Sequence, residues 1–145
     1  MIALIQRVTE ARVVVDGTVI GEIGAGILAL VGVERGDAAG QAVRLAEKVA
    51  AYRIFGDAEG RMNRSLAQTG GGLLVIPQFT LAADTRKGLR AGFSAAADPA
   101  DGERLFNCFV DAAKRGLTHV ATGSFGAEMM VHLVNHGPVT FWLKT

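Results

Sequence analysis

At 145 residues, half of them hydrophobic and 20% charged, the chain has the size and composition of one folded domain, which excludes intrinsic disorder. Its net charge of only +1 excludes nucleic-acid binding through a global field and leaves room for a local basic patch alone. A lone cysteine, Cys108, excludes an intrachain disulfide and fits a reducing cytosol, and no apolar run approaches the ~20 residues that span a bilayer.

Residues 1–8 lack the basic start and long apolar centre of a secretory signal and read as a strand. Residues 11–16 read as a second strand, Asp16-Gly17 as a hairpin turn, and Thr18–Ile23 as the returning strand. Gly24-Ala25-Gly26 turns again before Ile27–Val33, a continuous apolar strand of the buried kind. A helix follows, with Asp37 as its expected cap and Ala42, Leu45, Ala46 and Val49 at helical spacing. Tyr52–Phe55 is extended, Asp57-Ala58-Glu59-Gly60 turns, and Gly70-Gly71-Gly72 leads into a buried strand, Leu73–Ile76, that runs into Pro77-Gln78-Phe79-Thr80-Leu81. Residues 82–97 have no steady period and carry Arg86, Lys87 and Arg90, which predicts a long functional loop. Asp98-Pro99 starts a second helix whose core stripe is Leu105, Phe106, Phe109, Val110, Ala113 and Leu117. Cys108 is expected to pack at the edge of that helix. Thr118–Thr122, Met129–Val134 and Val139–Leu143 close the chain as strands. These runs predict a single α+β domain over residues 1–145, with a curved, largely antiparallel, barrel-like sheet and two main helices.

The available chemistry is narrow. His132 and His136 are four apart on a predicted strand, a span of about 13 Å, so they cannot share a metal ion. With His119 remote and no cysteine cluster, no metal site and no cofactor are expected, and Gly70-Gly71-Gly72 lacks the lysine and the following helix of a P-loop. Thr80 is a possible nucleophile, yet Pro77–Leu81 supplies no base, and His136 could act as one only if the fold joined the two segments. What remains is a site of backbone amides and carbonyls with Gln78 and Thr80. Such a site can bind an activated substrate and stabilise a developing oxyanion while water or a substrate hydroxyl reacts. Gly137-Pro138, between apolar strand residues, would interrupt a ladder and expose backbone to a ligand.

Met1–Val8, Tyr52-Arg53-Ile54-Phe55, Gln78 through Thr85, and Asn135 through Trp142 together resemble the bacterial D-aminoacyl-tRNA deacylases, also called D-tyrosyl-tRNA deacylases, from end to end. The resemblance implies a cytoplasmic homodimer, without cofactor, that hydrolyses the ester joining a D-amino acid or glycine to the terminal adenosine of tRNA. That glycyl ester is one mischarged on tRNA(Ala). It implies that Gln78, Phe79 and Thr80 form the catalytic wall and that Gly137-Pro138, with a cis bond, is a chirality gate inserted into the partner's pocket. The substrate's own 2′-hydroxyl would assist, and an L side chain would be directed into the Gly-Pro backbone. Arg86, Lys87 and Arg90 would contact the acceptor end of tRNA; no membrane and no DNA partner is implied.

Two positions depart from the family's pattern. Pro77 stands where serine is usual and offers neither hydroxyl nor N–H, and Ala91 stands where proline commonly follows Arg90. A Pro-Gln start also resembles the animal paralogue of relaxed chirality, which stays open as an alternative. So does a non-catalytic oligomeric binding module whose Gly-Pro turn is only structural.

Overall fold

In the computed structural model, which describes residues 1–145, the N-terminal segment does not break into two strands. β1 runs from Ile2 to Val15, because Thr9 and Glu10 are exposed residues in extended backbone and not a turn. Asp16 and Gly17 both take positive φ, 48° and 77°, the geometry of a tight hairpin. β2 (Thr18–Ile23) then pairs antiparallel with the second half of β1, and β3 (Gly26–Gly32) pairs antiparallel with its first half.

Helix α1 (Ala39–Ala51) buries Ala42, Leu45, Ala46 and Val49, the stripe that the spacing predicts. Its cap, however, is Ala38 and not Asp37. One oxygen of Asp37 accepts from the Met1 ammonium at 2.7 Å and the other from the amide of Glu34 at 2.7 Å. That ammonium is fully buried, and leaving it unpaired would cost more than the ~1 kcal/mol of a good N-cap.

A hairpin of β4 (Arg53–Gly56) and β5 (Met62–Ser65) and a single helical turn, α2 (Leu66–Thr69), follow; of these only the extended start and the turn at Asp57–Gly60 are legible in the sequence. Asp57 organises that turn. Its carboxylate accepts from the Asn63 side chain at 2.7 Å and from the amides of Glu59 and Arg61, which holds it below the usual carboxylate range.

β6 (Gly72–Pro77) enters parallel to β3, from Gly26↔Gly72 to Val31↔Pro77. The glycine run before it has a steric cause. A Cβ on Gly26 would lie 1.9 Å from the carbonyl oxygen of Gly72, so the backbones meet only because Gly26 has no side chain, while a Cβ on Gly72 would lie 2.8 Å from the side chains of His119 and Ile23. α3 (Pro99–Gly116) starts on Asp98, whose side chain accepts from the amide of Asp101, with Pro99 at the first position. It buries Leu105, Phe106, Phe109, Val110 and Ala113, with Leu117 buried at its end. Cys108 is half-buried on α3 against the carbonyl of Ala39 in α1.

β7 (Val120–Thr122) is parallel to β6, and β8 (Met130–Lys144) runs along the full free edge of β1. The main sheet is therefore mixed, with three antiparallel and two parallel pairings, and β4 and β5 form a separate two-stranded sheet. The main sheet curls until β2 and β7 nearly meet: a Cβ on Gly21 would lie 2.7 Å from the carbonyl of Thr122. One core lies between the sheet and helices α1 and α3, around Ile5, Ile27, Leu45, Leu73 and Phe109. A smaller one, around Val8, Val13, Leu28, Leu74 and Ile76, fills the inside of the curl. No helix is long and apolar enough to cross a membrane.

Candidate active site

β6 places the first candidate segment. Its ladder with β3 ends at Val31↔Pro77, and the amide of Gln78 donates to the carbonyl of Val31 at 2.8 Å. Pro77 has no N–H to give, and at the end of β6 it gives up no interior ladder bond. The chain then leaves the sheet in a short 3-10 turn, Phe79–Ala82. Leu81 N–H donates to the carbonyl of Gln78 and Ala83 N–H to that of Thr80. The first amides of such a turn, those of Phe79 and Thr80, have no acceptor inside it and are the natural donors to an incoming oxygen. The Gln78 amide nitrogen donates to the Thr80 hydroxyl, so the two side chains are tied together. Thr80 is exposed, and its recorded side-chain partner is an amide and not a base.

A cavity of about 270 Å³ opens beside this turn. Pro77, Gln78 and Phe79 form one side, with Val33, Pro99 and Phe125 among the residues opposite. Its apolar lining and the adjoining amides suit an uncharged side chain or ring attached to a polar ester. A larger groove, about 750 Å³, lies elsewhere, lined by Glu10, Arg12, Glu22, His119 and His132 among others. It is open and charged and shares no residue with the Gln78–Thr80 turn, so the smaller cavity is the better site.

Gly137-Pro138 lies within β8, whose two expected halves are one strand. The peptide bond between them is cis. Register explains the interruption: Gln6 faces Thr140 and Val8 faces Asn135, so His136, Gly137, Pro138 and Val139 stand opposite the single residue Arg7. The bulge is pinned from both sides. Asn135 Nδ2 donates to the carbonyls of Arg7 (3.2 Å) and Val139 (3.0 Å), and its Oδ1 accepts from Val139 N–H at 3.1 Å. Arg7 donates through Nε to the His136 carbonyl at 2.8 Å and through Nη1 to the Ile54 carbonyl at 2.6 Å. The strand beyond it is held by Tyr52 against Phe141, edge to face at 5.3 Å. Gly137 and Pro138 are exposed and do not line the cavity beside Gln78 within the same chain, and neither does His136. The fold thus does not deliver His136 to Thr80 as a base within one chain.

The residues from 84 to 92 are more ordered than a featureless loop. Asp84 and Gly92 exchange two backbone hydrogen bonds, of 2.7 and 3.0 Å. Arg86 clasps Asp84 with Nε at 2.9 Å and Nη2 at 2.7 Å. The Arg86 side chain holds the Asp84 carboxylate well below its ordinary range, and Asp84 raises the guanidinium in turn. A depressed carboxylate contributes fully above its ordinary value, ~3.9, and loses that contribution only as pH falls below it, so the clasp is intact at neutral pH. Of the three basic residues, Arg86 is therefore already paired, while Lys87 and Arg90 are exposed without a carboxylate partner.

Sequence reasoning assigned no role to Arg7 or Asn135. Arg7 carried a signal, a lone charge inside the apolar run of residues 1–8. Asn135 opens one of the segments that carry the resemblance, but its role depends on a register visible only once β8 is paired.

The family described as D-Tyr-tRNA(Tyr) deacylase matches residues 4–144. A protein of Methylococcus capsulatus named D-aminoacyl-tRNA deacylase is 62% identical over 99% of this chain and 94% of its own. One of the same name from Pectobacterium atrosepticum is 54% identical over the whole of both chains. Among solved structures, the c-Myc DNA unwinding element binding protein superposes with a TM-score of 0.95 at 33% identity, covering 100% of this chain and 99% of that one. A probable eukaryotic D-amino acid tRNA deacylase, at 16% identity and a TM-score of 0.83 over 99% of this chain and 98% of its own, shares the fold. With the family matched along nearly its whole length, and bacterial relatives more than half identical, the chain belongs to the D-Tyr-tRNA(Tyr) deacylase family and is an enzyme of that hydrolytic class.

Proposed function

We propose that the protein hydrolyses the ester of D-aminoacyl-tRNA, and of glycyl-tRNA mischarged on tRNA(Ala), releasing free amino acid and tRNA, while rejecting L-aminoacyl-tRNA. The observation that carries this is the pairing of an apolar cavity with a turn that offers amides and no base, in a chain matched to this family from residue 4 to 144. An aminoacyl ester is already activated. Its carbonyl oxygen is polarised by the amides of Phe79 and Thr80, and the substrate's 2′-hydroxyl assists the attacking water in place of a side-chain base. Following ester loss from D-tyrosyl-tRNA is the direct test; a folded preparation that leaves the ester intact at the uncatalysed rate would favour a non-catalytic binding module.

Thr80→Ala should lower kcat modestly, by about tenfold or less, because its hydroxyl has an amide partner and no base. Loss of several orders of magnitude with a trapped aminoacyl-threonine would make Thr80 the nucleophile instead.

The working unit is a homodimer in which Gly137-Pro138 of one chain closes the cavity of its partner. Two facts support this: the bulge is exposed and absent from its own chain's cavity, and β8 also exposes Met130, Val134 and Trp142. Activity per chain should therefore fall on dilution together with the dimer measured by sedimentation. A monomer with full activity would refute the shared site.

Lys87, Arg90 and, less strongly, Arg86 contact the acceptor end of tRNA. Replacing all three with alanine should weaken tRNA binding and reduce the slope of log affinity against log salt by about one to two, since Arg86 is partly neutralised by Asp84. An unchanged slope would mark them as merely solvated. The enzyme operates in the cytoplasm in this scheme, where its substrate is made.

A further inference from the structure

Phe79 and Phe93 form an aromatic pair that the chemistry above does not use. Their ring centroids are 5.1 Å apart, with planes tilted by 49°. In the single chain both rings are open to water, Phe79 at 58% and Phe93 at 43% exposure, although phenylalanine is normally buried. Phe79 also lines the cavity, so the pair carries the cavity's apolar wall out onto the surface. The stretch between them is held as a closed loop by the Asp84–Gly92 bonds and the Asp84–Arg86 clasp, with Lys87 and Arg90 exposed and unpaired on it. Exposed π faces beside free cations are the elements with which proteins hold single-stranded nucleic acid. Bases stack on the rings, whatever their identity, and phosphates meet the cations. Where part of Phe79 meets the partner chain of the proposed dimer, a protein contact alone would still leave the charges of Lys87 and Arg90 uncompensated.

We propose that Phe79 and Phe93 are a stacking platform for the unpaired nucleotide that precedes the terminal adenosine of tRNA, with Lys87 and Arg90 set against its phosphates. This rests on the deacylase reading above, because the position of the ester fixes which nucleotide reaches the platform. Phe93 is here a substrate-positioning residue on the strand side of the terminal adenosine. It acts on how the acceptor end is held and not on the ester carbonyl.

The test compares kcat/KM on D-tyrosyl-tRNA and on D-tyrosyl-adenosine, which lacks the preceding nucleotides, for wild type, Phe93→Ala, Phe93→Leu and Phe93→Tyr. Wild type should prefer the tRNA ester. Phe93→Ala and Phe93→Leu should reduce that preference about tenfold, mainly through KM on the tRNA ester, while Phe93→Tyr, which keeps the ring, should retain it. In parallel, the uncharged trinucleotide CCA should bind wild type more tightly than adenosine does and lose about the same factor in Phe93→Leu. An unchanged preference, whether both substrates suffer equally or neither does, would overturn the platform. So would variants that dissociate the dimer, since Phe93 would then be a contact between chains. Wild type inactive on both esters would sink the deacylase reading and the proposal with it, an outcome distinct from an active wild type whose preference ignores Phe93.

Discussion

Gly137→Ala is expected to abolish most activity while leaving the fold recognisable. A Cβ at this position would lie 1.9 Å from the backbone nitrogen of Val139 and 3.0 Å from Asn135 Oδ1. Those two atoms are the donor and acceptor of the hydrogen bond that closes the bulge, so the methyl group and that bond cannot coexist. The chain must open there, and in the proposed dimer the displaced backbone would no longer fit the partner's cavity. Overpacking of this sort costs about 1–3 kcal/mol in stability. A misplacement of about an ångström in a substrate-positioning element costs roughly a hundredfold in rate. The measurement is hydrolysis of D-tyrosyl-tRNA beside thermal unfolding of the same sample. A variant with near-native activity would show that this backbone does not form part of the pocket.

The second large effect is the discrimination between D- and L-alanyl-tRNA by one preparation. If backbone from Gly137-Pro138 closes one side of the cavity, an L side chain meets that backbone and a D side chain does not. The preference should reach about a hundredfold or more, a difference of ~2.7 kcal/mol between the two barriers. Rejection of this kind would work by clash and need no polar contact to the favoured substrate, so a glycyl ester should be accepted as well. Pro77, in place of the usual serine, is the element that could loosen the opposite side. The structure gives that side support of its own: Pro77 is in register with Val31, and Gln78 N–H is bonded to the Val31 carbonyl. Similar rates on the two esters would refute the gate and bring this chain close to the relaxed paralogue.

The elements whose partners lie close in sequence were legible without coordinates. Asp16-Gly17 determined a hairpin because few other residue pairs accept two successive positive φ values. Asp98-Pro99 and the stripe from Leu105 to Ala113 determined α3, since capping and helical periodicity act within a few residues. The Gln78–Thr80 segment was singled out by its residue types and its place after a buried strand, and the fold sets Gln78 and Phe79 beside a cavity. What only the tertiary structure decided depends on atoms far apart in the chain. Asp37 turned from helix cap to partner of the Met1 ammonium, 36 residues away, because the packing of the N-terminal strand buried a charge that needed it. Phe79–Ala82 took the form of a 3-10 turn, which begins where the ladder between β3 and β6 ends at Val31↔Pro77. The segments on either side of Gly137-Pro138 became one bulged strand because β1 offers a continuous edge from Ile2 to Val14, and Arg7 and Asn135 acquired their roles only from that register. Local propensity is written residue by residue, whereas register and ion pairing are settled by which distant backbone arrives alongside, and that is a property of the folded sheet alone.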